Sequence, residues 1–346
     1  MVRRAVLALC LCAASAFVSP AVSRARAPAP LNAKGAELRD RIKSVGNTQK
    51  ITTAMRLVAA AKVRKAQAAV LASRPFGEAI QSAFTGVVSK LEKEPTEEDI
   101  PLLEKRPVKK VTIIAVSADK GLCGSYNTYA IKRTEQRMKE LTDQGIEVEL
   151  IPIGTKLSGY FGRRGYVFPK KYNCPQVPNA ELATELSRDA LTSFLGLETD
   201  KVELVYTKFV SLIASKPMVR SILPLTATGI ETAGDEYFEL KTDDGKIAVK
   251  TTKVAAPPPT PFPADLVFEQ EPVMILNTML PLYLDAQILR CLQEAVASEL
   301  ASRMSSMQAA SDNARDLKKA LSQKYNRIRQ ASVTAEILEI VSGAGM

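Results

Sequence analysis

The eleven residues Ser117-Ala-Asp-Lys-Gly-Leu-Cys-Gly-Ser-Tyr-Asn127 bring together a thiol, a carboxylate, an amine and two glycines. They follow Lys109-Lys-Val-Thr-Ile-Ile-Ala-Val116, a continuous β-branched run that reads as a buried parallel strand. The turn after such a strand is where an α/β sheet binds ligands, and glycines there can let backbone N–H groups cradle a phosphate. Gly121-x-x-Gly124 nevertheless lacks the G-x-G-x-x-G spacing and the Lys-Ser/Thr of a phosphate loop. The simpler reading is a tight turn that needs glycine. Histidine is absent from the chain, which excludes an imidazole base, a Ser-His-Asp triad and His-ligated metal. The carboxylates are scattered and converge on no nucleophile, so an enzyme site on this domain has little to stand on. No catalytic, cofactor-binding or metal-binding residue is assigned.

The elements that position this turn are of two kinds. Around it, strand-like and helix-like segments alternate. The helix to about Thr142 is followed by strand Ile146–Ile153, a helix around Lys156–Gly162 and a short strand near Val167. Helix Ala180–Phe194, strand Val202–Leu212 and strand Pro217–Pro224 complete the order. That alternation predicts an α/β domain. Two alternating runs around Asp244-Gly245, within Glu236–Val249, read as a β-hairpin. At the two ends of the chain the period is helical. Lys34 to about Lys93 keeps a three-four spacing at Leu38, Ile42, Val45, Ala59, Val63, Ala66 and Val70, with an interruption expected near Pro75. Gln49, Thr52 and Arg56 make the middle of that seam polar, and Gly46 should soften the helix locally.

From Glu271 to about Val341 there is no glycine and, past the opening residues, one proline, Pro281. Apolar residues recur at Leu284, Ile288, Leu292, Leu300, Met304, Met307, Leu317, Leu321, Tyr325, Ile328 and Leu338. Such a helix would run on the order of 90 Å beyond Pro281 and needs a partner helix or a surrounding protein. Its middle, Gln308–Asp316, keeps only small or polar residues, so two backbones could approach closely there. With a domain between them, the terminal helices can return as an antiparallel coiled coil.

Three stretches carry a resemblance. Leu38 to Gln67, the turn Ser117–Asn127, and Asp312-Asn-Ala with Tyr325 to Gly345 resemble the γ subunit of F-type ATP synthases over residues 36–346. The resemblance implies an α/β fold: a long antiparallel coiled coil of the N- and C-terminal helices, with an inserted Rossmann-like α/β domain carrying a β-hairpin insertion. It implies a non-catalytic central rotor that turns inside a ring of three α and three β subunits. It also implies δ and ε subunits and a membrane c-ring as further partners. Lys50 and Met55 on the first helix, and Arg303, Arg329, Gln330 and Thr334 on the last, match the positions where that family meets loops of β. Gly121, Cys123 and Gly124 form its structural turn. The hairpin resembles an insertion of plastid and cyanobacterial γ subunits. The two-cysteine segment that precedes it in green-plant γ is missing from Leu225–Asp235, so no redox disulfide is expected. The competing reading of the helices is a structural coiled-coil tether.

Residues 1–33 have Arg3 and Arg4, the apolar run Ala5–Ala14 and then Ser, Arg, Ala and Pro without acid. This resembles a signal peptide followed by a transit peptide, the bipartite plastid leader of algae with secondary plastids. Its loss removes four arginines from a net charge of +10, which together with the lack of a binding motif weakens a nucleic-acid role. Cys123, Cys174 and Cys291 would then be the remaining cysteines, with no C-x-x-C pair, as suits a reducing stroma. The expected segments are the leader 1–33, helix 34–93, an α/β domain 107–254 with its hairpin insertion at 225–254, a Pro-rich linker 255–263 and helix 264–346. The expected location is the stromal side of the thylakoid membrane, peripheral to it through the c-ring.

Overall fold

A computed structural model describes residues 31–91, 106–212, 214–224, 236–243, 246–253 and 269–345. The leader up to residue 30, the segment 225–235, the turn at 244–245 and the Pro-rich linker 255–263 lie outside the described residues. In order, the elements are α1 (Leu31–Leu91), β1 (Lys110–Val116), α2 (Tyr126–Asp143), β2 (Glu147–Ile153), α3 (Thr155–Gly162) and α4 (Ala180–Leu195). β3 (Lys201–Phe209), β4 (Ser215–Leu223), β5 (Glu236–Asp243), β6 (Lys246–Lys253) and α5 (Pro272–Ala344) follow. The chain divides into two compact units, one of Thr48–Asn313 and one holding the remaining ends of α1 and α5.

The larger unit is built on a four-stranded sheet in the order β2-β1-β3-β4. β1 pairs parallel with β2 and β3, and β4 is antiparallel to β3. The β-branched runs are buried on both faces, which is why they read as continuous apolar text. Val111, Ile113 and Ala115 face Met138 and Leu141 of α2 and Leu157 and Phe161 of α3. Ile114 and Val116 face the opposite way, into a core with Leu186 and Phe194 of α4 and Leu280, Leu284 and Ile288 of α5. The first third of α5 packs one broad apolar face into this core, while Met274 and Leu282 on it stay exposed. β5 and β6 pair antiparallel from Glu236↔Lys253 to Asp243↔Lys246.

Within this unit α1 and α5 run antiparallel. Thr53 Oγ1 lies 2.9 Å from Ser311 Oγ. Val63 and Val70 pack with Val296, Ala297 and Leu300, and Phe84 stacks on Tyr283 with centroids 5.1 Å apart. In the smaller unit Gly46 lies beside the Lys318 side chain. The helix passes through Gly46 without a break.

Three expectations change. Pro75 does not interrupt the first helix. Proline in a helix interior costs about 3 kcal/mol, but Phe84 and Val87 beyond it are fully buried in the core, and that packing holds the helix. Val167 is in no strand. It is 92% exposed, and the contact with β2 is a single bridge from Ile153 to Tyr172. The last helix begins at Pro272, not at residue 264, and residues 264–268 lie outside the described residues.

Candidate functional site

The turn between β1 and α2 is bound on two sides. Toward the sheet, Ser117 Oγ donates to Ile153 O at 3.1 Å and accepts from Leu157 N at 3.2 Å. The Asp119 carboxylate accepts from Thr155 N at 2.8 Å and from Cys174 N at 3.1 Å. Asn127 closes the turn on itself. Its Oδ1 accepts from Ala118 N at 3.0 Å, and its Nδ2 contacts the Cys123 sulfur at 3.1 Å. Toward α5, Ser302 Oγ donates to Cys123 O at 2.7 Å and Arg303 Nη2 to Gly121 O at 3.3 Å.

Gly124 is required at that contact for two reasons. Its φ is +58°, and a Cβ there would overlap Ser306 Oγ and sit 3.2 Å from Ser302 Oγ. Serines one helical turn apart on α5 thus form a shallow seat for the glycine turn. The backbone strain at Leu122, φ 64°, turns its side chain outward, 62% exposed, while Cys123 points in.

Electrostatically the seat is a buried pair. Glu299 and Arg303 form an ion pair, one turn apart on α5, each with about a tenth of its side chain exposed. Burial pushes the Glu299 carboxyl above its usual range, and the Arg303 charge opposes that shift. A cavity of about 60 Å³ lies beside the pair, lined in part by Asp119, Tyr126, Cys174 and Glu299. Nucleotide pockets are several times larger, on the order of 300 Å³ and up. Burial raises the Cys123 thiol and takes Cys174 up to about 12, so both stay protonated and poorly nucleophilic at neutral pH. Among the described residues no group of three or more His, Cys, Asp or Glu could hold a metal ion.

The six helix residues matched to partner contacts fall into two sets. In the larger unit, Lys50 is exposed on α1 and Met55 is half-buried. Arg303 is 8% exposed and engaged within the chain by Glu299 and Gly121. In the smaller unit, Arg329, Gln330 and Thr334 are exposed on α5, and Thr334 Oγ1 donates back to Gln330 O at 2.9 Å. That back-bond fixes the Thr334 rotamer. Val333, Ile337, Leu338, Ile340 and Val341 beside them are also exposed. Reading the sequence missed Glu299, Ser302 and Ser306. Their only local trace is two i, i+4 pairs, Glu299–Arg303 and Ser302–Ser306.

A family model described as ATP synthase matches residues 34–345. A relative from Trieres chinensis, named ATP synthase gamma chain, chloroplastic, is 52% identical over 326 residues, covering 94% of this chain and 88% of its own. An ATP synthase gamma chain from Gloeothece citriformis is 52% identical over 308 residues, 89% of this chain and 97% of its own. Among solved structures, a chain of the Euglena gracilis mitochondrial ATP synthase, OSCP/F1/c-ring, superposes with a TM-score of 0.59 at 16% identity, covering 91% of this chain and 94% of that one. A chain of the Tetrahymena thermophila central stalk and c-ring gives 0.51 at 21% identity, covering 75% and 99%. At those identities the structures testify to the fold alone. With a family match spanning both terminal helices and the domain between them, and relatives half identical over most of their length, this chain belongs to the ATP synthase gamma-chain family.

Proposed function

We propose that the chain is the central rotor of a plastid F-type ATP synthase, coupling proton flow to ATP synthesis without itself being catalytic. The observation that carries the reading is half identity to gamma chains over about nine-tenths of the chain. In this role α1 and α5 form one antiparallel coiled coil standing in a ring of three α and three β subunits. An asymmetric rod cannot meet three β subunits alike. It therefore holds each in a different state, and turning it cycles them, because coupling requires contacts that differ between states. The polar middle of the pair, with Thr53 against Ser311, suits a thin shaft touched from outside. A tether would gain more from an unbroken apolar seam.

Lys50, Met55, Arg303, Arg329, Gln330 and Thr334 are the contacts with β loops. Arg329 and Gln330 form one exposed polar patch able to grip a carboxylate in one orientation and release it in another. The exposed apolar end of α5 sits in a bearing formed by the ring. The chain also meets ε and the c-ring, δ completes the complex, and the chain lies on the stromal side of the thylakoid membrane after loss of the leader. The test is reconstitution of the mature chain with α and β, with a bead on the α/β domain. Stepwise turning in one direction on ATP is expected. Arg329→Ala should slow it roughly tenfold, the scale of one charge-assisted hydrogen bond. Assembly without turning would leave a tether.

β5 and β6 form the hairpin insertion of plastid and cyanobacterial gamma chains, without the cysteine pair. Among the described residues Cys123, Cys174 and Cys291 are free, and Leu225–Asp235 has no cysteine. ATPase activity of the assembled complex is therefore expected to be unchanged by dithiothreitol or thioredoxin. A reductive activation that this subunit alone confers would overturn the assignment.

A further inference from the structure

Ser298, Ser302 and Ser306 stand four residues apart on α5 and so share one face of the helix. A serine inside a helix often turns its hydroxyl back onto its own backbone. Here two of the three bond into the α/β fold. Ser298, fully buried, donates to Thr207 O on β3 at 3.1 Å. Ser302 donates to Cys123 O at 2.7 Å. Ser306 lies against Gly124, whose missing side chain lets the turn close on the helix.

The place of these contacts along α5 gives them a mechanical meaning. The core shared with the sheet and α4 reaches Ala295. Val296, Ala297, Leu300 and Ala301 pack with Val63 and Val70 of α1 and with Phe209 at the end of β3. Beyond Ala301 the α/β fold meets α5 through the turn Gly121–Gly124. That turn is itself fastened, since Asp119 accepts from Thr155 N and Cys174 N and Ser117 donates to Ile153 O. A short serine hydroxyl on a backbone carbonyl has few torsions that can give way. Load on α5 therefore passes through the turn into β2 and α3.

We propose that Ser302, Ser306 and Gly124 form a clamp, and that the free length of α5 begins at Ser306. They are positioning residues, acting by holding the domain on the helix. The clamp rests on the contacts above, and its effect on turning rests on the rotor reading.

The clamp is tested first by hydrogen exchange on the full mature chain. Ala118 N and Tyr126 N are bonded within the turn. In Ser302→Ala both should exchange about fivefold faster, the equivalent of one hydrogen bond. Ser298→Ala, which frees Thr207 O instead, should leave them unchanged. Unchanged exchange in Ser302→Ala overturns the clamp, as does an equal rise in both variants.

The effect on turning uses Gly124→Cys with Ser306→Cys in a Cys123→Ala background. A Cβ on Gly124 would lie 3.6 Å from Ser306 Cβ, within disulfide range. Reduced, the added side chain pushes the turn off the helix. Oxidised, the bond holds the native spacing, and both forms carry the same backbone strain. From Ser306 to Ala344 α5 runs about 57 Å, against about 65 Å from Ala301 and about 73 Å from Ala295. Angular variance of an elastic rod scales with free length. A bead on the domain of a stalled complex should therefore fluctuate with about 1.1- to 1.3-fold more variance in the reduced form. Oxidation of the same molecule should restore the wild-type value and leave the turning rate unhindered. Equal variance in the two forms overturns a free length that starts at Ser306, and stalling on oxidation overturns a clamp that stays closed. A complex that turns in no form, wild type included, counts against the rotor reading, and exchange in the isolated chain still decides the clamp.

Discussion

Replacing Gly154 with alanine is expected to destabilise the α/β unit by about 3 kcal/mol or more. Gly154 joins β2 to α3 with φ 100° and ψ 142°, a region open essentially to glycine alone. A Cβ at this position would overlap the Ser117 carbonyl, lying 2.8 Å from its carbon and 2.6 Å from Ser117 Oγ. Neither strand can retreat. Ser117 N donates to Ile153 O at 2.8 Å, Gly154 N donates to Tyr172 O at 2.8 Å, and Ser117 is fully buried. The backbone strain and the overlap therefore add instead of relaxing into each other. Gly159 supplies the control. It lies inside α3 with nothing within 4 Å of its would-be Cβ, so alanine there should be neutral or stabilise by up to about 1 kcal/mol. Urea unfolding of both variants, read as a midpoint shift at constant slope, decides the matter. A Gly154→Ala protein within about 1 kcal/mol of wild type would mean that the joint is not built this way.

The same joint explains what was legible in the sequence. Ile113, Ile114 and Val116, buried on both faces, announce a parallel strand through composition alone. The helical periods of α1 and α5 are equally local signals. Pro75 misled because a single residue's cost was outweighed by packing farther along the helix, at Phe84 and Val87, which no local window shows. Val167 misled in the other direction. Its β-branched type suggests a strand, while its neighbours Tyr166 and Phe168 anchor a loop that leaves it outside.

The seat of the glycine turn was least legible. Ser302 and Cys123 are separated by 179 residues and Arg303 and Gly121 by 182, so their contact is a product of the fold. Arg329, Gln330 and Thr334 were legible only through the resemblance. In physical terms each is an exposed polar residue on a helix, the same as many that do nothing. Arg303 shows the reverse case, since its local setting resembles theirs and its surroundings do not.

Arg303→Ala is expected to cost about 3 kcal/mol at neutral pH, the scale for breaking a buried ion pair from one side. The cost comes from what is left behind. Glu299 is 8% exposed, and without Arg303 its remaining counter-charges are Lys120 and Lys62. The sign of the pH dependence follows from the direction of its shift. Burial raises the Glu299 carboxyl above its unfolded value, so the folded chain binds the proton more tightly. The corresponding stability is fully present below the ordinary carboxylate range and is lost as pH rises through the raised folded value. In Arg303→Ala that folded value moves higher still, so the variant should approach wild type toward about pH 5 and fall away at neutral pH. Glu299→Gln in the same background removes the stranded charge and should recover about 1–2 kcal/mol at neutral pH. Urea unfolding of the three proteins at both pH values tests this. A pH-independent loss, or no recovery on adding Glu299→Gln, would show that Arg303 stabilises through its hydrogen bond to Gly121 O instead. The double variant then has a second use. Carried into the reconstituted complex, it keeps the fold while lacking the guanidinium, so turning that is still impaired would belong to a contact Arg303 makes with β, and turning that is restored would place its whole role inside this chain.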